Sequence, residues 1–103
     1  MGANMAVKPK AIGKLRVLYD PENDILYISL GEPRSALSLP DDEGLLLVRV
    51  DPQTREVIGL TILDYEQQFR RLPPDLTWLK DKSVPVEILS FVQNRPPVSA
   101  TSS

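Results

Sequence analysis

The chain has 103 residues, a formal net charge of −2 and neither cysteine nor histidine. It therefore lacks disulfides, thiolate metal ligands, thiol nucleophiles and the commonest general base, and its slight acidity argues against a dedicated nucleic-acid binder. One small domain is expected at this length; no stretch approaches the ~18 apolar residues of a membrane helix and no signal peptide is recognisable, so we expect a cytoplasmic protein.

The ends of the chain differ in composition from its middle. Residues 1–13 are predicted to form a flexible leader, whose basic character we interpret as solubilising rather than as a phosphate contact. Residues 14–94 are predicted to form a single α+β domain, in which residues 31–43 make a loop between two strand-rich parts. Residues 95–103 are rich in proline, serine and threonine, and we predict a disordered tail there.

A pattern of an apolar run, an Asp-Pro turn and a second apolar run occurs twice. The first copy turns at Asp20-Pro21 and resumes after Asp24, and the second turns at Asp51-Pro52. Aspartate and proline are typical turn residues, and β-branched alternating runs are typical of strands. The pattern predicts a small antiparallel sheet of two Asp-Pro β-hairpins, with strands at about 14–20, 24–30, 45–50 and 56–63.

The last predicted strand and the segment after it contain further signals. Gly59 interrupts the strand and indicates a bulge or a close approach of another backbone. Asp64 and Gln67 have the spacing of a capping box, and the apolar period then becomes helical. Residues 84–94 fit either a helix or an edge strand, and we favour the helix. The predicted short C-terminal helices therefore cover about 64–72, which Pro73-Pro74 ends, then 75–80 and 84–94.

The predicted strands carry apolar residues on both faces, more than the short helices cover. Several such side chains left in water forgo several kcal/mol at ~25 cal/mol per Å², which is large beside the roughly 5–15 kcal/mol of a whole domain. We therefore predict a homo-oligomer, most simply a two-fold dimer. The residues expected at its interface are Tyr27, Leu45, Leu47 and, from the last helix, Phe91.

The carboxylates of the first turn have some features of a metal site. Asp20, Glu22 and Asp24 alternate as in a calcium loop, but the positions that must be glycine and glutamate hold Ile25 and Gly31. Turn formation is favoured over a weak ion site, because aspartate bonds readily to nearby backbone. We predict no catalytic residue, no metal and no cofactor. The residues expected to form turns are Asp20, Pro21, Asp24, Asp51 and Pro52.

The first copy of the pattern is also a family signature. The run Tyr19-Asp20-Pro21-Glu22-x-Asp24-x-Leu26-Tyr27, followed later by Gly59-Leu60-x-Ile62-Leu63-Asp64, resembles the small prokaryotic family known as domain of unknown function 2283. The resemblance covers about residues 14–70. It implies a compact single domain of strands with a short helical end, and it implies no activity, cofactor or catalytic residue; residues 73–103 extend beyond it.

Three classes of function remain open from the sequence. The favoured one is a non-catalytic, homo-oligomeric interaction module. The second is a regulatory partner, such as an antitoxin-like protein whose tail folds on a toxin or enzyme. The third is a small-ligand binder or an enzyme, which the absence of histidine and cysteine disfavours. We expect a homodimer, with a heterologous protein partner as an alternative, and neither nucleic acid nor a membrane as partner.

Overall fold

The structure is a computed structural model that describes residues 10–32, 34–41, 44–71 and 76–98. Six strands lie in this part of the chain, and every neighbouring pair is antiparallel. Across the single sheet, the strands numbered in chain order lie as β1-β2-β3-β6-β5-β4. They are β1 (Lys10–Ile12), β2 (Leu15–Asp20), β3 (Ile25–Leu30), β4 (Leu37–Pro40), β5 (Leu46–Val50) and β6 (Val57–Leu63).

The four strands predicted from the repeated pattern correspond to β2, β3, β5 and β6, each starting one residue later than predicted. The other two strands correct the prediction. β1 lies in the predicted leader and β4 in the predicted loop, so both predictions are wrong at these residues. Both are short edge strands whose residues are all exposed, and each depends on a single neighbour for its pairing. Pairing of that kind leaves no buried alternation to recognise in the sequence.

The rest of the predicted leader, residues 1–9, lies outside the described residues, as do residues 99–103 of the predicted tail and the Pro73-Pro74 helix end. The described part of the tail differs from the prediction of disorder. Val98 is only 7% exposed and belongs to the hydrophobic core. The folded domain therefore extends at least as far as this valine.

Helical structure follows the sheet. A π-helical turn (Tyr65–Phe69) comes directly after β6, and then come a 3-10 helix (Thr77–Lys82) and the α-helix α1 (Val86–Asn94). The helix favoured for residues 84–94 is confirmed. The domain is mostly sheet with little helix, so the α+β class holds only in this coarse sense. None of the described helices has the length and apolar character needed to cross a membrane.

One face of the sheet, the core face, carries the hydrophobic core. In the two central strands Leu26 pairs with Ile62 and Ile28 with Leu60, and all four side chains are fully buried. At about 1.5–3 kcal/mol for each large apolar side chain removed from water, this packing supplies the main favourable term of folding. The side chains that the helical elements add to the same cluster are Tyr65, Phe69, Leu79, Ile88 and Val92.

Gly59 allows the two central strands to approach. A β-carbon at this position would lie 2.5 Å from the carbonyl oxygen of Ile28 in β3. On its other side the register with β5 shifts between Arg49 and Val50, which is a β-bulge. The sequence prediction of a bulge or a close backbone approach at this glycine is therefore confirmed, and both features are present.

Candidate functional site

The turn between β2 and β3 is built on Asp20. Its Oδ1 accepts hydrogen bonds from the backbone N–H groups of Glu22 (3.0 Å) and Asn23 (3.3 Å). Its Oδ2 accepts one from the side-chain amide of Asn23 at 2.9 Å. The Asn23 amide contributes most to holding the pKa of the Asp20 carboxyl below its ordinary value. The carboxylate is thus occupied by donors of its own turn.

Asp51 plays the same part between β5 and β6. Its Oδ1 accepts from the backbone N–H groups of Gln53 (2.8 Å) and Thr54 (3.0 Å). The bond from Thr54 contributes most, followed by that from Gln53, to a pKa of the Asp51 carboxyl below its ordinary value. Its Oδ2 lies 3.3 Å from the guanidinium of Arg34.

Asp24 reaches across the fold instead of closing its own turn. It is 9% exposed and has a left-handed φ of 57°. Its Oδ1 accepts from the hydroxyl of Tyr19 (2.6 Å) and from the backbone N–H of Glu66 (2.9 Å), and its Oδ2 accepts from the N–H of Gln67 (3.1 Å). Asp24 therefore caps the π-helical turn, which lies about forty residues further along the chain, with a carboxylate whose bonds are all internal.

The predicted capping box of Asp64 and Gln67 is wrong. Asp64 precedes the π-helical turn in a left-handed conformation (φ 51°), and its side chain makes no capping hydrogen bond. The N–H of Gln67 is bonded to Asp24 instead. Local spacing favours Asp64 as the cap, but the tertiary structure supplies the Asp24 carboxylate as the acceptor.

The pKa values of Asp24, Tyr19 and Tyr65 follow from the burial of these side chains and from their hydrogen bonds. Burial alone would raise the pKa of Asp24, but the bonds from Tyr19, Glu66 and Gln67 outweigh it and lower the pKa below its ordinary value. Burial, and then the bond to Asp24, raise the pKa of the Tyr19 phenol. Burial is also the main cause that raises the pKa of Tyr65 to about 12. The buried carboxylate of Asp24 is therefore bound by neutral donors, and this arrangement stabilises the fold.

We expect the free energy of unfolding to fall as the pH drops below about 4. The pKa of Asp24 is lower in the folded than in the unfolded protein. Asp24 therefore contributes its full stabilisation when the pH is above its unfolded pKa. This stabilisation is lost as the pH falls through the folded value, because the unfolded chain takes up the proton first. Urea unfolding of the wild type and of Asp24→Asn at about pH 6, 4 and 3 measures this effect. The free energy of unfolding should fall less between about pH 6 and pH 3 in the variant than in the wild type. An equal fall in both proteins would contradict the stabilising role of the Asp24 carboxylate.

The face of the sheet opposite the core, the open face, carries a continuous row of side chains. Leu18, Tyr27, Thr61 and Leu47 are successive Cα partners across β2, β3, β6 and β5, so their side chains emerge on the same side. We call these four residues the apolar row. Thr61 is buried between its neighbours, whereas the other three remain partly exposed and belong neither to the core cluster nor to the residues packed against it.

The structure places the four predicted interface residues in two different environments. Tyr27 and Leu47 lie in the apolar row. Leu45 and Phe91 are partly buried and pack against the core cluster. The structure also places Leu18 in the row beside Tyr27, and Leu18 is not among the predicted interface residues.

Charged residues border the apolar row. On one side the next line of Cα partners is Arg16, Ser29, Gly59 and Arg49, which we call the basic row. On the other side the corresponding position of β2 is Asp20, in line with Ile25 and Leu63. The open face therefore has an apolar centre between a basic border and a border that is acidic at β2.

Outside the open face, we examine the described residues for carboxylate clusters and for grooves with polar side chains. Within the described ranges, no group of three or more aspartate and glutamate side chains is placed to hold a metal ion. A shallow groove of about 520 Å³ lies at the end of the sheet where β6 begins. Its polar lining includes Arg34, Arg55, Glu56 and Ser83, but Arg34 is already paired with Asp51.

A family model described as "Protein of unknown function (DUF2283)" matches residues 16–65. Over this segment, which is just under half of the chain, the protein is similar to the DUF2283 family. The resemblance found in the sequence is therefore confirmed. The DUF2283 segment runs from β2 to the first residue of the π-helical turn, so it includes Tyr19, Asp24 and all of the apolar row, while the 3-10 helix and α1 lie beyond it. No curated protein and no solved structure matches the chain.

Proposed function

We propose that this protein is a non-catalytic interaction module that forms a homodimer through its open face. The observation that carries the proposal is the apolar row. Its residues Leu18, Tyr27 and Leu47 lie outside the core, on the open face of the sheet. Contiguous apolar surface on a small domain marks an interaction site, because water contact there forgoes hydrophobic free energy. The described helical elements pack on the core face and leave this row without a partner.

The size of the face sets the expected strength of association. Four strands at ~4.8 Å spacing and six residues at ~3.3 Å rise give a patch of roughly 20 Å by 20 Å. Its projected area of about 400 Å² per copy is below the ~800 Å² per partner of a standard specific interface. We therefore expect a dimer with a dissociation constant in the micromolar range.

Leu47→Lys tests the proposal. We expect light scattering to give a dimer for the wild type at about 100 μM, and a dissociation constant at least ten times larger for the variant, roughly 1.4 kcal/mol. The circular dichroism spectrum should not change, since Leu47 lies outside the core and a lysine there stays in water in the monomer.

Leu39→Lys is the matched control. Leu39 is 43% exposed on the edge strand β4, and its partner is the buried Val48, so it lies on the side of the sheet away from the apolar row. We expect this variant to associate like the wild type. A folded wild type that remains an 11.5 kDa monomer at every concentration would overturn the proposal. So would loss of association in Leu39→Lys alone, because it would move the contact to the sheet edge.

We place the module in the cytoplasm, which is the location expected from the sequence. Fractionation of cells that express the full chain tests this placement. Recovery with the membrane or with the secreted fraction would contradict it.

A further inference from the structure

We infer that the two copies pair about a two-fold axis that runs across the strands, parallel to the apolar row. The basic row of each copy then faces the end of the other copy's sheet at which Asp20 lies. This inference rests on the proposed dimer and specifies its orientation. Among the two-fold axes in the plane of the interface, two keep the strands of the facing sheets aligned, one across the strands and one along them. Both bury the apolar row, so hydrophobic burial alone does not choose between them.

Charge is distributed unevenly along the strand direction. One end of the sheet holds the 20–24 turn, Asp41 and the 63–66 segment. These residues include six acids, of which Asp24 is buried and Glu66 is paired with Arg70. We call this the acidic end. The opposite end includes five basic residues and three acids: Lys14, Arg16, Arg34, Arg49 and Arg55 with Glu32, Asp51 and Glu56.

An axis across the strands pairs opposite charges. It places β2 of one copy over β2 of the other in the reverse direction, with Leu18 near the axis. Arg16 and Asp20 lie two residues on either side of Leu18, so each Arg16 comes to lie over Asp20 of the second copy and near the exposed Glu22. The sheets would be about 10 Å apart, a gap that an arginine side chain largely spans.

An axis along the strands pairs like charges. It places β2 of one copy over β5 of the other, and so brings Arg16 over Arg49, twice by symmetry. Like charges that face each other across an interface repel, and more strongly where water is excluded. This repulsion disfavours the second axis.

Arg16 is free to change partners. Its pair with Glu32 is long, at 3.4 Å, and the Glu32 side chain is 83% exposed. Exposed pairs of this kind contribute little to stability. Giving up the pair with Glu32 therefore costs little.

Cross-linking separates the two axes because the chain has no cysteine of its own. In Leu18→Cys the single thiol of each copy lies near the axis that we infer, so a short bismaleimide should join two copies of this one variant. With the axis along the strands, the two thiols would be about three strand spacings apart, roughly 14 Å, before the gap between sheets is added. In that case only a mixture of Leu18→Cys and Leu47→Cys would cross-link efficiently, and the inference would be overturned.

The direction in which a charge reversal changes the affinity of the dimer gives an independent test. Arg16→Glu should weaken association several-fold, because it places acid over acid, and a second change in the same chain, Glu22→Arg, should restore part of the affinity. The weakening should shrink at high salt. Tighter association of Arg16→Glu would overturn the inference, since relief of the Arg16–Arg49 repulsion belongs to the other axis. If the wild type and all variants are monomers by light scattering, the proposed dimer itself fails, and that outcome is distinct from a dimer with the wrong axis.

Discussion

Asp24→Gly is expected to lower the free energy of unfolding by about 3 kcal/mol. The change removes an acceptor of three hydrogen bonds and leaves the Tyr19 hydroxyl and the N–H groups of Glu66 and Gln67 without it. Glycine is the informative replacement because Asp24 has a left-handed φ of 57°, which glycine adopts without strain. The loss then reports the hydrogen bonds and not the backbone.

Denaturant unfolding at one fixed protein concentration measures this effect, since a dimer makes apparent stability depend on concentration. Tyr19→Phe is the graded control: it removes one of the three bonds and should cost about 1 kcal/mol. Asp20→Gly, in the same turn, should cost clearly less than Asp24→Gly because its bonds are local and exposed. Equal losses for the two glycine variants would show that Asp24 is only a turn residue.

Gly59→Ala is expected to cost about 3 kcal/mol through a clash in the middle of the sheet. The added β-carbon would lie 2.5 Å from the carbonyl oxygen of Ile28, and the obstacle is backbone that no side-chain rotation relieves. The β3–β6 pair must open at this point, and these strands contain Leu26, Ile28, Leu60 and Ile62 of the core.

Gly44→Ala is the matched control for this prediction. A β-carbon at Gly44 meets no atom within 4 Å, so only its left-handed φ of 73° opposes the change. We expect a loss of about 1 kcal/mol there. Thermal and denaturant unfolding of both variants test the comparison. A Gly59→Ala protein as stable as Gly44→Ala would mean that the central strands separate without cost.

The elements that the sequence predicts correctly are those whose cause is local. Alternation of apolar residues identifies β2, β3 and β5, because burial on one face imposes a period of two. β6, whose first six residues are all buried, is identified by its run of strand-forming residues. The apolar arc of residues 84–94 likewise identifies α1. Gly59 indicates its bulge, because an isolated glycine inside a strand has few other uses.

Only the tertiary structure decides the features whose partners are distant in the chain. The strand order places β3 beside β6, and so aligns Leu18, Tyr27 and Leu47 in one row while Leu45 and Phe91 pack against the core. The edge strands β1 and β4 depend on single neighbours, and Asp24 finds its backbone donors 42 and 43 residues away. A spacing rule reads only residues within a few positions of one another, whereas a hydrogen bond forms wherever folding brings a donor to an acceptor.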